Sequence, residues 1–318
     1  MDRIRIPNEA TYTPLPLLDV ALAAPLISRL LFRATLPGKA LQMAAMAVYV
    51  GSAARDWIGR RGVRRIDFLT EFGADIDHLE AMPLHIREGE IALLVERANA
   101  EYTAERIPLE QLAILVDEHL TQYIASITGQ RVETSTEIRS FTVAHLIFPF
   151  ALGACDILSG DVAIFHDTGV FEPHVVAHEF THRKGYWKEL DAQAISYLAM
   201  ASSGHPVLVQ SARCERLHRH LRAIAGDDDA RFRTLLEQSG LRSELAVQFT
   251  GLRSKAGPIQ EKVEEVMKMV YDGRMKITGQ NGIRDYDVGF TNFLYTFERS
   301  TTARQSSPEQ LDLAPAAN

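Results

Sequence analysis

The chain has 318 residues, is 46% hydrophobic, and carries 41 acidic against 34 basic side chains for a formal charge of −7. That apolar content can fill the core of one large domain and excludes general disorder, while the negative balance gives no chain-wide attraction for a phosphate backbone, so nucleic acid is not an expected partner. Cys155 and Cys214 are the only cysteines and lack paired spacing, which excludes a disulfide framework and a thiolate zinc site.

The start, MDRIRIPNEATYTP, has no short apolar core followed by a small-residue cleavage site, so residues 1–13 read as an N-terminal extension and the protein is expected to be cytoplasmic. Residues 15–33 and 38–58 are strongly apolar. Asp19, Pro25 and Arg29 interrupt the first, and the second has only about 15 unbroken apolar or small residues where a spanning helix wants about 20. From Arg29 to Arg65 stand eight basic side chains against one acid, Asp56, a local balance of +7 within an acidic chain. Residues 14–65 thus read in one of two ways: an apolar, basic helical region that meets an anionic membrane surface through residues 29–65, or a pair of core helices with a solvated basic rim.

From 85 to 128 the pattern is helical; Pro108, the apolar period of LEQLAILVDEHLTQYIASI and the closing Gly129 mark one amphipathic helix. Residues 140–150 (SFTVAHLIFPF) and 161–166 (DVAIFH), rich in β-branched and aromatic residues between turn formers, predict short strands. After residue 203 the chain is helical again, through VLVQSARCERLHRHLRAIA, ARFRTLLEQS and IQEKVEEVMKMVYDGRMK. Residues 302–318 read as a disordered tail.

The chemistry is carried by His178-Glu179-Phe180-Thr181-His182, an H-E-x-x-H run behind Pro173, a residue suited to the first turn of a helix. Residues four apart on a helix lie one above the other, so His178 and His182 can reach a single ion, with Glu179 beside them as general base for an activated water. Two neutral imidazoles and a carboxylate suit Zn2+, which in a catalytic site keeps a fourth position open. His174 is eight residues from His182, about 12 Å of helical rise, and cannot share that ion. It reads as a surface histidine, with capping or substrate contact as the alternative.

The third ligand must follow a chain reversal, which Gly185 permits. Glu189 and Asp191 face different ways on the next helix, so only one should bind metal. Glu189 shares its face with Ala192, Gln193 and Ser196, leaving room for an amide to orient a ligand; it is the preferred ligand and Asp191 the alternative. Tyr186, Tyr271 and Tyr286 are candidate oxyanion donors by residue type, and Trp187 is either a cleft wall or a packed ring. Residues 161–166 offer a strand edge to an extended substrate, or an ordinary buried strand.

The segment HEFTHRKGYWKELDAQAISYLA, residues 178–199, resembles the H-E-L-A-H-x-x-G-x-x-x-E-x-E-A-N-F-x-A-Y-L pattern of an uncharacterised bacterial family of predicted HExxH zinc metallopeptidases, a domain of unknown function. A second block, YDGRMKITGQNGIRDY at 271–286, is similar to that family's Y-D-x-Y-L-K-x-N-G-Q-x-G-V-x-S-Y. The E-x-D-A-Q stretch is also similar to the E-x-E-A-D segment of membrane-linked zinc peptidases of the prenyl-protein type, where the first acid is the metal ligand, and this resemblance favours Glu189. Asp191 and Gln193 stand where the family has Glu and Asn.

The expected architecture is α+β and mostly α-helical: a single zincin-like domain over residues 14–301, with a small sheet beside the HExxH helix. The expected function is hydrolysis of peptide bonds in a peptide or protein substrate. Two alternatives remain: a non-catalytic membrane-surface interaction protein with a structural metal site, and a zinc hydrolase of non-peptide substrates.

Overall fold

In the computed structural model, the residues described are 2–8, 15–32, 35–147, 151–252, 258–277, 279–282 and 286–300. The expected tail at 302–318 lies outside them, as do residues 148–150 of the first predicted strand and residues 278 and 283–285 of the second resemblance block.

The chain begins with strand β1 (Asp2–Arg5), which pairs in parallel with β2 (Gln130–Glu133) in the register Asp2↔Gln130 to Arg5↔Glu133. Between them come α1 (Leu17–Phe32), α2 (Leu36–Arg60), α3 (Phe68–Phe72), α4 (Leu84–Ala100) and α5 (Leu109–Thr128). A short helix, α6 (Thr142–Ile147), follows, and then the antiparallel pair β3 (Gly153–Cys155) and β4 (Val162–Ile164). The rest is helical: α7 (Glu172–Arg183), α8 (Glu189–Ala201), α9 (Pro206–Ala225), α10 (Asp229–Gln238), α11 (Ser243–Gly251), α12 (Pro258–Ile277) and α13 (Val288–Arg299). The molecule is α+β and mostly helical, its sheet among the described residues being two small strand pairs.

Local chemistry sets the helices that matter most. Pro108 precedes α5, where its missing N–H costs nothing, and Gly129, at φ +68°, closes it by donating to the Ala125 carbonyl at 3.0 Å. In between, Leu112, Val116, Leu120 and Ile124 recur every four residues and are fully buried. They pack with Val176 and Phe180 of α7 and with Leu190, Ile195 and Leu198 of α8 in one core, which Phe290, Phe293 and Phe297 of α13 complete. A second core joins α4, α9, α10 and α11 around Phe171, Leu217, Phe232 and Phe249.

One predicted strand is a helix instead. Within 140–150 the chain forms α6, because the Asp19 carboxylate of α1 accepts from the amides of Thr142 at 2.6 Å and Val143 at 3.0 Å. An anion at the first-turn amides favours a helix N-terminus, and this one arrives from over 120 residues away, beyond the reach of local propensity. The second predicted strand is present as β4.

Buried cations hold the end of α7. Arg183 donates to the carbonyls of Gly160 at 2.7 Å, Ser135 at 2.6 Å and Glu137 at 2.7 Å. Lys184, fully buried, pairs with Asp117 of α5 at 2.7 Å and donates to Thr121 Oγ1 and the Val132 carbonyl. Asp117→Ala is therefore expected to cost about 3–5 kcal/mol in urea unfolding, because it strands a buried ammonium. Lys184→Met should cost less, since the carboxylate it leaves retains some contact with water. A loss below about 1 kcal/mol for Asp117→Ala would show that Lys184 finds another counter-charge.

Candidate metal centre

Helix α7 places His178 and His182 one turn apart on one side, with His178 Nε2 and His182 Nε2 3.2 Å from each other. The helix stops at Arg183, and the backbone reverses at Gly185, whose amide donates to the His182 carbonyl at 2.8 Å. Gly185 has φ +107°, a conformation that a side chain would strain. Helix α8 then begins at Glu189 and returns that carboxylate to the histidines: Glu189 Oε2 lies 3.2 Å from His178 Nε2 and 3.3 Å from His182 Nε2.

These three atoms form a nearly equilateral triangle. Its 3.2–3.3 Å sides match the roughly 3.3 Å edge of a tetrahedron whose corners lie about 2.0 Å from the centre, the spacing that nitrogen and oxygen ligands take around zinc. His178, His182 and Glu189 are the one group of such ligands close enough to share an ion among the described residues. The donor set therefore fits a divalent ion that accepts two imidazoles and a carboxylate.

The surroundings orient each donor. His182 Nδ1 lies 2.8 Å from the Tyr186 carbonyl, which can only accept, so Nδ1 keeps its proton and Nε2 is the nitrogen that would give up its own to bind an ion. Trp187 stacks on the His182 ring, 6.0 Å between centroids and 6° from parallel, so it forms a wall of the site. Both phenols that sequence offered only by residue type, Tyr271 of α12 and Tyr286 before α13, donate to Glu189, Tyr286 at 2.6 Å to Oε2 and Tyr271 to Oε1. The third candidate, Tyr186, points elsewhere: its hydroxyl donates to the Arg64 carbonyl at 3.0 Å, and only its backbone oxygen serves the site. The Glu189 amide at the start of α8 donates to Gln280 Oε1 at 2.8 Å, so the turn at 279–282 fixes the ligand from behind.

Electrostatics divides the two histidines. Burial pushes His178 down to about 4, outweighing its hydrogen bond to Glu189. For His182 burial acts the same way, but the carboxylates of Glu189 and Glu179 and the Tyr186 carbonyl overcome it and hold the ring up at about 9. Glu179 is pushed up to about 8 by burial, with the Glu189 charge adding and His182 opposing. A cation held by the three ligands would draw that value down. Glu179 packs against Gly153 of β3, where an added Cβ would come within 3.0 Å of its Cγ, so the strand needs glycine to run this close to the helix.

Two expectations need correction. His174 is 2% exposed rather than at the surface, and its Nε2 lies 3.7 Å from Glu215 of α9, since α7 is covered on that side as well. Gln193 orients no ligand; it donates to Glu215 at 2.6 Å, because its position on α8 faces α9. Asp191, the alternative ligand, is outside the donor triangle, and burial raises its carboxyl to about 6. Glu215 in turn pairs with Arg219 at 2.6 Å, whose guanidinium lies 5.6 Å from the centre of the Tyr286 ring and binds Asp287 at 3.0 Å. Arg183, Lys184, Arg219 and Gln280 were not singled out in the sequence. A basic pair at the end of the H-E-x-x-H helix was the available sign of the first two.

No curated protein and no solved structure matches the chain. Residues 168–295, the stretch from just before α7 into α13 that contains both histidines, Glu179, Glu189, Tyr271 and Tyr286, match the model of a family described as a protein of unknown function (DUF3810).

Proposed function

We propose that the protein is a zinc-dependent metallopeptidase with a zincin-like active site, in which His178, His182 and Glu189 hold the ion and Glu179 is the general base. The observation that carries this reading is the donor triangle with a carboxyl group beside it that binds nothing in it. A structural site needs only ligands, whereas Glu179 is a buried acid held near neutrality, where it suits proton transfer. Each of the four residues is buried but keeps 7–8% of its surface in contact with solvent, so water reaches the site.

Held by His178, His182 and Glu189, a zinc ion would supply Lewis acidity for activating water and polarising a carbonyl at neutral pH. Glu179 takes the proton from the attacking water and returns it to the departing amine. Tyr271 and Tyr286 hold the Glu189 carboxylate in place and place two hydroxyl donors beside the ligands, where one can serve a developing oxyanion. Trp187 and the β3–β4 pair flank the site, and the small sheet beside the H-E-x-x-H helix supports the zincin-like assignment.

The test is elemental analysis of the freshly purified protein together with a broad peptide-library cleavage screen. One zinc per chain and chelator-sensitive cleavage are expected. Absence of bound zinc would refute the proposal, and zinc without cleavage of any peptide would leave a structural site or a non-peptide substrate.

A further inference from the structure

Part of the charge bias of residues 29–65 falls on a helical hairpin. Helices α1 and α2 pack on each other, and the Ser28 hydroxyl donates to the Gly38 carbonyl at 2.7 Å across the bend. Of the 22 exposed large hydrophobic side chains among the described residues, 13 are on these two helices, so most of the uncovered large apolar side chains gather here. Leu30 and Leu36 are each 81% exposed and Met43 is 71% exposed. An α-helix that is apolar nearly all round is ordinarily covered on every side, yet α2 between Leu36 and Val50 is covered along one seam only. Arg29, Lys39, Arg55 and Arg61 are exposed on the same hairpin. No helix among the described residues is long and apolar enough to cross a membrane.

We infer that the α1–α2 hairpin docks the protein on an anionic phospholipid bilayer, its leucines and methionines entering the interface and its exposed cations meeting the headgroups. Exposed apolar side chains that share a hairpin with exposed cations, inside an acidic chain, fit that surface better than a second copy of the chain, whose own hairpin repeats the same positive charge. The hairpin lies outside residues 168–295, so the family match says nothing about it.

The root of the hairpin is fastened to the metal helix. Arg60 is buried, donates through Nε to the Arg183 carbonyl at 3.2 Å, and lies 5.4 Å from the centre of the Trp187 ring. Arg65 donates to the Gly185 carbonyl at 2.8 Å. Docking thus tethers the candidate centre to the bilayer through the root of the hairpin, and its substrate is a polypeptide presented at a membrane surface, a statement that rests on the peptidase reading, whereas the docking itself does not.

The experiment is co-sedimentation of the full chain with vesicles of phosphatidylglycerol and phosphatidylcholine in equal parts, beside vesicles of phosphatidylcholine alone. Binding to the anionic vesicles only, weakening with salt, is expected. Leu30→Glu with Met43→Glu should lower vesicle affinity at least about tenfold, and Arg29→Glu with Lys39→Glu at least about tenfold as well. Both double variants should keep the wild-type melting curve and metal content, because the altered side chains are exposed. Wild type that stays in the supernatant, or variants that bind undiminished, would overturn the inference. So would a dimer in solution that Leu30→Glu dissolves, since the face would then belong to a second copy. Metal content and peptide cleavage are read separately, so failure of the peptidase reading leaves the vesicle result intact.

Discussion

Glu179→Gln is expected to keep the bound ion and to lose hydrolysis by about a hundredfold to ten-thousandfold, the usual contribution of a positioned general base. The substitution keeps the shape of a side chain that Gly153 contacts closely, and it touches none of the three donor atoms. Elemental analysis and kcat/KM on the same preparation check both halves. Retention of more than about a tenth of the wild-type rate would remove Glu179 from the role of base. The same variant carries a stability signature. In the metal-free protein the carboxyl is raised from its ordinary 4.5 to about 8, so the folded state holds a proton that the unfolded state releases. Its contribution is therefore full below pH about 4.5 and is lost as pH rises toward 8. Glutamine does not titrate, so the metal-free variant should gain in melting temperature relative to wild type across that window.

The second large effect is at the third ligand. Glu189→Ala should weaken metal affinity at least about a hundredfold, because it removes one corner of the donor triangle and the acceptor for Tyr271 and Tyr286 together. Asp191→Ala should leave metal content unchanged, since its carboxylate is not among the clustered donors. Titration with a chromophoric chelator separates the two. The reverse pattern, metal kept by Glu189→Ala and lost by Asp191→Ala, would overturn the ligand assignment. Tyr286→Phe offers a gentler probe: it preserves the ring near Arg219, frees Glu189 Oε2 of one donor, and should lower affinity by about tenfold.

The part of the site that a helix builds by itself was legible in sequence. Four-residue spacing places His178 above His182 whatever surrounds them, and a glycine after the helix announces the reversal that returns Glu189. What sequence could not place arrives through tertiary contact. Tyr271 and Tyr286 come to Glu189 from 82 and 97 residues away, so only their residue type was visible beforehand. The burial of His174 and the turning of Gln193 toward Glu215 follow from α9 covering α7 and α8, a packing that no local period records. In the fold, α5 was readable because its breakers and apolar spacing agree, whereas α6 follows from a carboxylate on α1. The pairing of β1 with β2 likewise has no sign in the four residues DRIR.

That parallel pairing also bears on the order of folding. Asp2 meets Gln130, so the first strand to be synthesised waits for well over a hundred residues before its partner exists, and closing so long a loop is entropically slow. Val132 in that partner strand accepts from Lys184, and Ser135 just beyond it accepts from Arg183, the two cations that seat the metal helix. The His178–His182 turn can coil early, but its seat is built from segments far apart along the chain. Full ligand geometry should therefore be among the last features acquired in refolding, after most of the helical signal has already returned.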